Sequence, residues 1–266
     1  MKCLSIDLDG TLLNSKHEIT EESSKAIKEL QDQGYQLILN TGRAYRDVIK
    51  YDAVKGLDIP IFCINGSVLY DEEGEILYEA SLPIDVYKEL LQELSQLGVR
   101  VLVYTNHGGF PSTLPPLHNM DEGELDELFN AFNYDDILEQ DSLTIYKLIA
   151  LVRYEQVELI DEVKKALAGN EHISMASSFP NNVEITSNEA QKGKAIMRYQ
   201  QMTGKQFTEI YAFGDGGNDL AQFEVATKSV AMGNAPLSIQ EKADIITKTN
   251  DEDGFVYSVR HLLSLI

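Results

Sequence analysis

The chain has 266 residues, with 22 Lys+Arg against 43 Asp+Glu and a formal charge of −21. Binding driven by a nucleic-acid backbone needs clustered basic residues facing phosphates, and twice as many acids as bases leave little room for such a patch; an anionic membrane surface is disfavoured on the same ground. Hydrophobic residues make up 43% of the chain, enough for a real core, so the acidity does not imply disorder, and the length fits one large domain or two moderate ones.

The N-terminus Met1-Lys2-Cys3-Leu4-Ser5-Ile6 meets Asp7 before a signal-like apolar region develops, and no apolar run nears the roughly 18 residues of a membrane span. The expectation is a soluble, cytoplasmic protein. Cys3 and Cys63 sit in short apolar runs and read as buried thiols. A cysteine phosphatase loop would need Arg six positions after the Cys, where Asp9 and Leu69 stand, so that chemistry is out.

In chain order, the first strand is Cys3 to Leu8. A helix follows from Thr20, a good N-cap, with Ala26, Ile27 and Leu30 on one face and Gly34 just past its end. Tyr35 to Leu39 reads as a strand, Tyr45 to Val54 as a helix and Ile61 to Ile64 as a short strand. Val68 to Tyr70 and Glu75 to Tyr78 flank Asp71-Glu72-Glu73-Gly74, a hairpin signal. Pro83 then opens a different region. It reads as helix (Val86 to Leu97), strand (Arg100 to Tyr104), a long Gly/Pro-rich and acidic stretch, strand (Ile145 to Val152), helix (Glu155 to Leu167) and two strands (Ile173 to Ala176, Val183 to Thr186). The last part returns to alternation: helix Lys192 to Met202 stopped at Gly204, strand Ile210 to Phe213, helix Asn218 to Ala226, small strands at Ser229 to Met232 and Asp244 to Thr247, and a closing helical run through Val256 and Leu263. Strands alternating with helices at both ends imply an α/β fold with a parallel sheet flanked by helices, a Rossmann-like core. Adjacent strands in the middle imply an inserted α+β domain. The expected division is 1–82 with 188–266 for the core and 83–187 for the insertion.

The first strand ends in Asp7-Leu8-Asp9-Gly10-Thr11-Leu12-Leu13, placing two carboxylates two residues apart at the carboxyl end of a parallel strand, where open α/β sheets build their sites. The bland reading is a solvated turn capped by Asp, but an apolar strand running into Asp-x-Asp-Gly-Thr favours a site. A second acidic cluster, Gly214-Asp215-Gly216-Gly217-Asn218-Asp219, closes the Ile210 to Phe213 strand. It nearly matches a dinucleotide-binding Gly-x-Gly-x-x-Gly loop, yet Asp219 stands at the third glycine and argues against a pyrophosphate. Carboxylates from neighbouring strand ends suit a hard cation such as Mg²⁺. Asn40-Thr41-Gly42-Arg43 ends another strand just before a helix, so the Thr41 hydroxyl and the following N–H groups can hold a phosphoryl oxygen. Lys192 opens a helix leading back to the Asp215 strand. Asn65-Gly66 is equally a turn or part of the site. His17, His107, His118, His172 and His261 form no close metal pair, so none is assigned to a metal.

Asp7-Leu8-Asp9-Gly10-Thr11, Thr41-Gly42-Arg43, Lys192-Gly193 and Gly214-Asp215-Gly216-Gly217-Asn218-Asp219, with Ala231-Met232-Gly233-Asn234-Ala235 and Asp251-Glu252-Asp253-Gly254, resemble the ordered motifs of the haloacid dehalogenase-like hydrolase superfamily, Cof-type branch. The resemblance spans essentially the whole chain and implies a large α+β cap between the second and third motifs. Asn40 departs from the alanine common before Thr-Gly-Arg, and Gln191 from the Ser or Asn often preceding the lysine.

The resemblance implies a Mg²⁺-dependent phosphatase acting on small phosphate monoesters, with sugar phosphates, pyridoxal phosphate or flavin mononucleotide-like metabolites as the substrate class. Asp7 would be the nucleophile, forming an aspartyl-phosphate, and Asp9, protonated near crowded negative charge, the acid and base for leaving group and water. Asp7, the Asp9 carbonyl and Asp215 would hold Mg²⁺. Leu8, Thr41, Gly42, Lys192 and Asn218 would hold the phosphoryl group. Asp219 would either reach the metal through water or orient Lys192. The cap would select the substrate, with Thr105-Asn106-His107-Gly108-Gly109-Phe110 and Phe179-Pro180-Asn181-Asn182 as candidate contacts or as ordinary loops. Alternatives are a sugar phosphomutase using the same aspartyl-phosphate, for which Arg100 and Arg153 alone do not make a second phosphate pocket, and a non-catalytic phosphate-sensing module. Oligomeric state is not legible.

Overall fold

The computed structural model describes residues 1–111 and 120–266; His118 and part of the Gly/Pro-rich stretch lie outside them. The strands in chain order are β1 (Lys2–Ile6), β2 (Gln36–Asn40), β3 (Ile61–Cys63), β4 (Val68–Tyr70), β5 (Ile76–Glu79), β6 (Arg100–Thr105), β7 (Gly108–Phe110), β8 (Ile145–Leu151), β9 (Ile173–Ala176), β10 (Asn182–Ser187), β11 (Glu209–Gly214), β12 (Lys228–Ala231) and β13 (Ile245–Ile246). The chain divides into two compact units, one made of Met1–Glu79 with Ala190–Ile266 and the other of Ala80–Glu189.

In the first unit eight strands form one sheet in the order β13-β12-β11-β1-β2-β3-β4-β5. The six strands from β13 to β3 are parallel, and β4 and β5 add an antiparallel edge. β1 lies at the centre between β11 and β2, and Cys3, Leu4, Ser5 and Ile6 are fully buried, as expected of a strand covered on both faces. Burying side chains such as Leu4 and Ile6 contributes about 1.5–3 kcal/mol each. The helix Glu21–Asp32 starts where the Thr20 side chain accepts from Ser23 N–H and buries Ala26, Ile27 and Leu30. The helix Lys192–Thr203 stops at Gly204, whose φ of 71° is left-handed.

Two departures from the sequence reading lie in this unit. The single helix expected over Tyr45 to Val54 is two short ones, Tyr45–Val48 and Asp52–Lys55, separated by an extended Tyr51 whose ring lies 5.4 Å beneath the Arg43 guanidinium. The helix expected from Asn218 begins as a 3₁₀ turn, Gly217–Asp219, and continues as Leu220–Val225, because Asp219 turns its carboxylate back onto the Asp215 and Gly216 amides.

The second unit holds a five-stranded antiparallel sheet in the order β7-β6-β8-β10-β9. Helices Ile84–Gln96 and Leu159–Ala166 pack on one face through Val86, Leu90, Leu94, Ile160 and Val163. The helix Glu122–Ala131 packs on the opposite face, Phe129 against Leu102 and Ile149. That helix stands where only an acidic stretch was expected. Its start is a capping box, Asp121 accepting from Gly123 and Glu124 N–H while the Glu124 carboxylate accepts from Asp121 N–H. Thr105 to Phe110 is the turn and return strand of a β6–β7 hairpin. Both cysteines are buried free thiols, and no helix of the described residues is long and apolar enough to cross a membrane.

Candidate active site

Asp7 is the first residue past β1. Its N–H donates to the Phe213 carbonyl of β11 at 3.0 Å, and the residue is 5% exposed. Gly10 turns the chain with φ 71°, and a side chain there would run into the Asp215 carboxylate. The loop after β1 and the end of β11 are therefore packed so closely that only glycine fits.

Lys192 lies in the middle. Its side chain is fully buried, and Nζ donates to Asp7 Oδ1 and Asp219 Oδ1, both at 2.6 Å. Burial alone would lower the pKa of this ammonium, but Asp219 and Asp7 outweigh it and hold the lysine above its ordinary value. Asp219 is wholly committed. Oδ1 accepts from Lys192 and from Gln222 Nε2 at 2.8 Å, and Oδ2 accepts from the Asp215 and Gly216 N–H groups, each at 2.9 Å.

One carboxylate oxygen from each of Asp7, Asp215 and Asp219 lies within 4.8 Å of the others. Because Lys192, Gln222 and two amides occupy Asp219, the carboxylates left for a cation are those of Asp7 and Asp215. Among the described residues the Asp215 carboxylate receives only long contacts, from Thr11 Oγ1 at 3.3 Å and Asn234 Nδ2 at 3.4 Å. Burial, followed by the charge of Asp219, pushes the Asp215 carboxyl up to about 7. Burial likewise lifts Asp7 well above the carboxylate range despite Lys192, with Asp219 and Asp215 adding to the rise. A buried Asp7 and a half-buried Asp215, in a cluster of three carboxylates that shares one lysine, fit a bound metal ion, and oxygen donors fit a hard one.

On the β2 side, Thr41 is fully buried, and its hydroxyl oxygen accepts from Arg43 N–H at 3.2 Å. Gly42 follows directly, between Thr41 and Arg43. Asn218 donates through Nδ2 to Asn65 Oδ1 at 3.0 Å, and Asn65, at φ 58°, donates its N–H to the Thr41 carbonyl at 2.9 Å. Asn65 therefore joins the Thr41 and Asn218 loops. Leu8 is fully buried by its side chain, so only its backbone can serve a ligand.

Asp9 has an unexpected partner. Arg43 grips it with a two-pronged fork, Nε to Oδ2 at 2.6 Å and a terminal nitrogen to Oδ1 at 2.5 Å. A cation faces this carboxylate, not the crowd of negative charge that the sequence reading invoked to protonate it. Arg43, Thr11, Gln222 and Asn234 all touch the site and were not assigned to it from sequence, and Asn65, read equally as a turn, touches it too. Arg43, Thr11 and Asn234 stand in motifs already quoted, and their closeness was the only available signal.

In the Ala80–Glu189 unit, a cleft of about 740 Å³ is lined by residues including Arg100, Phe129, Tyr134 and Arg153. Both arginines spend their charge locally, Arg100 and Arg153 each pairing with Glu122 and Asp126. The polar side chains proposed for substrate are also engaged: Asn106 with Ser142 and Thr144, His107 with the Asp141 carbonyl, and Asn182 with the Ser178 and Phe179 amides. These segments are built as turns, and Phe179, 61% exposed, stays open.

The family model for haloacid dehalogenase-like hydrolases matches residues 4–259. The chain belongs to the haloacid dehalogenase-like hydrolases. It is 32% identical over 288 residues to the Bacillus subtilis (strain 168) 5-amino-6-(5-phospho-D-ribitylamino)uracil phosphatase YwtE, covering 99% of each chain. It is 26% identical to the pyridoxal phosphate phosphatase YbhA of Escherichia coli (strain K12), covering 98% of this chain and 99% of that protein. Among solved structures, a haloacid dehalogenase-like hydrolase from B. subtilis superposes with a TM-score of 0.84 at 28% identity, over 98% of this chain and all of that one. In this hydrolase Asp7 and Asp215 directly follow β1 and β11, Asp219 ends the 3₁₀ turn after Asp215, and Lys192 opens the helix Lys192–Thr203.

Proposed function

We propose that the protein is a Mg²⁺-dependent phosphatase that hydrolyses small phosphate monoesters through a phosphorylated Asp7. The observation that carries this reading is the buried Lys192, held at 2.6 Å from both Asp7 and Asp219, beside Asp215, an acid with no ion pair among the described residues.

Each residue contributes a step that phosphoryl transfer requires. Asp7 attacks phosphorus in line; Lys192 opposes the effect of burial on it, its ionisation would be completed with Mg²⁺ bound, and Lys192 also neutralises charge on the equatorial oxygens. Asp219 orients Lys192, since its four hydrogen bonds leave it no capacity for a metal. Thr41, the Gly42 and Leu8 amides and Asn218 aim donors at the phosphoryl oxygens. A single well-aimed donor of this kind is worth about 3 kcal/mol in the transition state. Asp9, released from the Arg43 fork and protonated from solvent, gives that proton to the leaving alkoxide, then takes one from the water that cleaves the aspartyl-phosphate. Mg²⁺, held by Asp7, Asp215 and the Asp9 carbonyl, supplies positive charge for the phosphoryl oxygens. The Ala80–Glu189 unit serves as the cap that selects among substrates.

YwtE and YbhA act on phosphate esters carrying a heteroaromatic ring, and this supports pyridoxal phosphate, flavin mononucleotide-like compounds and sugar or polyol phosphates as the class to screen. A phosphomutase fits less well, because Arg100 and Arg153 are neutralised and offer no second phosphate site. A phosphate-sensing module would dispense with Asp7 or Asp9, and both are present. The test is a phosphate-release screen over a metabolite panel with Mg²⁺ and with EDTA. Metal-dependent turnover lost in Asp7→Asn is expected; turnover that persists in either case would overturn the assignment.

A further inference from the structure

Beneath the site lies a polar network that none of the motifs requires. Ser5 on β1, Asn40 at the end of β2 and Gln222 on the Leu220–Val225 helix are all fully buried. Gln222 Nε2 donates to the Phe213 carbonyl at 3.1 Å and to Asp219 Oδ1 at 2.8 Å. Both partners accept only, so the amide cannot be reversed, and Gln222 Oε1 must face the other way. There it accepts from Ser5 Oγ at 2.7 Å and, more distantly, from Asn40 Nδ2 at 3.4 Å. Asn40 Nδ2 also donates to Ser5 Oγ and to the backbone carbonyl of Lys192, each at 3.1 Å. The donors therefore run in one direction, from Asn40 through Ser5 and Gln222 into Asp219, while a second hydrogen of Asn40 grips Lys192 at its backbone.

Asn40 Oδ1 has no hydrogen-bond partner among the described residues. An orphaned buried acceptor costs stability, and apolar side chains of similar shape could fill this space without it. The network is thus a poor way to hold the fold together and a good way to hold two particular residues. Its two ends are the carboxylate that orients the Lys192 ammonium and the backbone from which that ammonium extends.

We propose that Ser5, Asn40 and Gln222 are positioning residues that lock Lys192 and Asp219 so that the ammonium stays on Asp7. Gln222 fixes Asp219 Oδ1 from the side opposite the two backbone amides on Oδ2. Asn40 fixes the root of the Lys192 side chain. Loosening either lets the ammonium drift from Asp7, which weakens charge neutralisation in the transition state more than it weakens substrate binding. The kinetic part of this inference rests on the phosphatase reading, whereas the geometric part does not.

Two measurements on the full chain test it. In protein labelled with ¹⁵N-lysine, the Lys192 ammonium should give a slowly exchanging side-chain signal, identified by its loss in Lys192→Met. Gln222→Met and Asn40→Ala should each speed its proton exchange about tenfold or more. The same variants should lower kcat on the best substrate of the panel by about 10- to 100-fold, the range for a lost hydrogen bond to a charged group, with KM within about threefold of wild type. Asn40→Ala loses the orphaned acceptor together with its donor contacts, so gain and cost offset in part, and it serves if Gln222→Met does not fold. A Lys192 signal that is unchanged in both variants, or already in fast exchange in the wild type, overturns the proposal. Altered exchange in a protein with no phosphatase turnover would support the network and overturn the proposed function instead.

Discussion

Replacing Lys192 with Met should show how much of the site's stability and chemistry one buried cation supplies. The ammonium is fully buried and 2.6 Å from both Asp7 and Asp219. Without it, three carboxylates whose oxygens lie within 4.8 Å of one another share a buried space with no cation among them. At an effective dielectric of about 20, two charges at that separation repel by about 3.5 kcal/mol. Breaking a buried ion pair by removing one partner typically costs about 3–5 kcal/mol, so the two routes agree. In EDTA at pH 8, Lys192→Met should therefore unfold on the order of 10 °C below wild type. The carboxylates can escape by taking up protons, and Asp7 and Asp215 are already raised in the intact protein. The gap to wild type should accordingly narrow at pH 5. Hydrolysis should fall by at least about 10²–10³-fold, the loss expected for one transition-state donor. Thermal unfolding followed by circular dichroism at the two pH values, with phosphate release alongside, makes the measurement. An equal gap at both pH values, or kcat within about threefold of wild type, would refute the electrostatic reasoning.

Three further outcomes follow from the same geometry. In metal-free protein, the folded state binds more protons than the unfolded one between the ordinary Asp value of 3.8 and the Asp215 value of about 7. Stability should therefore decline as pH rises through that window, by up to about 4 kcal/mol, and Mg²⁺ should reverse the decline; denaturant titrations at pH 4.5 and 7.5 with and without Mg²⁺ decide it. Because a site crowded with carboxylates repels an anionic ester, calorimetry should detect inorganic phosphate binding with Mg²⁺ and little without it. Arg43→Ala should change stability by less than about 1 kcal/mol, since the Asp9 side chain it grips is 46% exposed, yet lower kcat about tenfold by leaving Asp9 unoriented; a large stability loss would mean that the fork is structural.

The parts of the site that the sequence makes legible are those where chemistry and chain geometry coincide locally. An apolar strand that ends in Asp7-Leu8-Asp9-Gly10 declares both its burial and its exit into a site, and the same holds for β11 with Asp215 and Asp219. The parallel sheet follows from alternation of strands and helices for the same reason. What escapes is set by distance along the chain. Gln222 and Ser5 are 217 residues apart, and nothing local to either one marks the other. The Arg43 fork on Asp9 depends on how the loops after β1 and β2 meet, and no spacing rule specifies that. The helix Glu122–Ala131 is a different failure. Its capping residues Asp121 and Glu124 and its apolar Leu125 and Phe129, four apart, were readable, but the density of acids hid them in what read only as an acidic stretch.

The central claim, that Asp7 carries the phosphoryl group, can be tested by trapping it. Asp9→Asn should slow release of the aspartyl-phosphate, because Asp9 activates the hydrolytic water. After a brief reaction of this variant with Mg²⁺ and an aryl phosphate, whose leaving group departs without an acid from residue 9, and an acid quench, peptide mass spectrometry should find one added phosphoryl group on the peptide containing Asp7, lost when Asp7 is replaced by Asn. Phosphorylation of any other residue, or turnover by Asp7→Asn at a rate near that of wild type, would contradict the account.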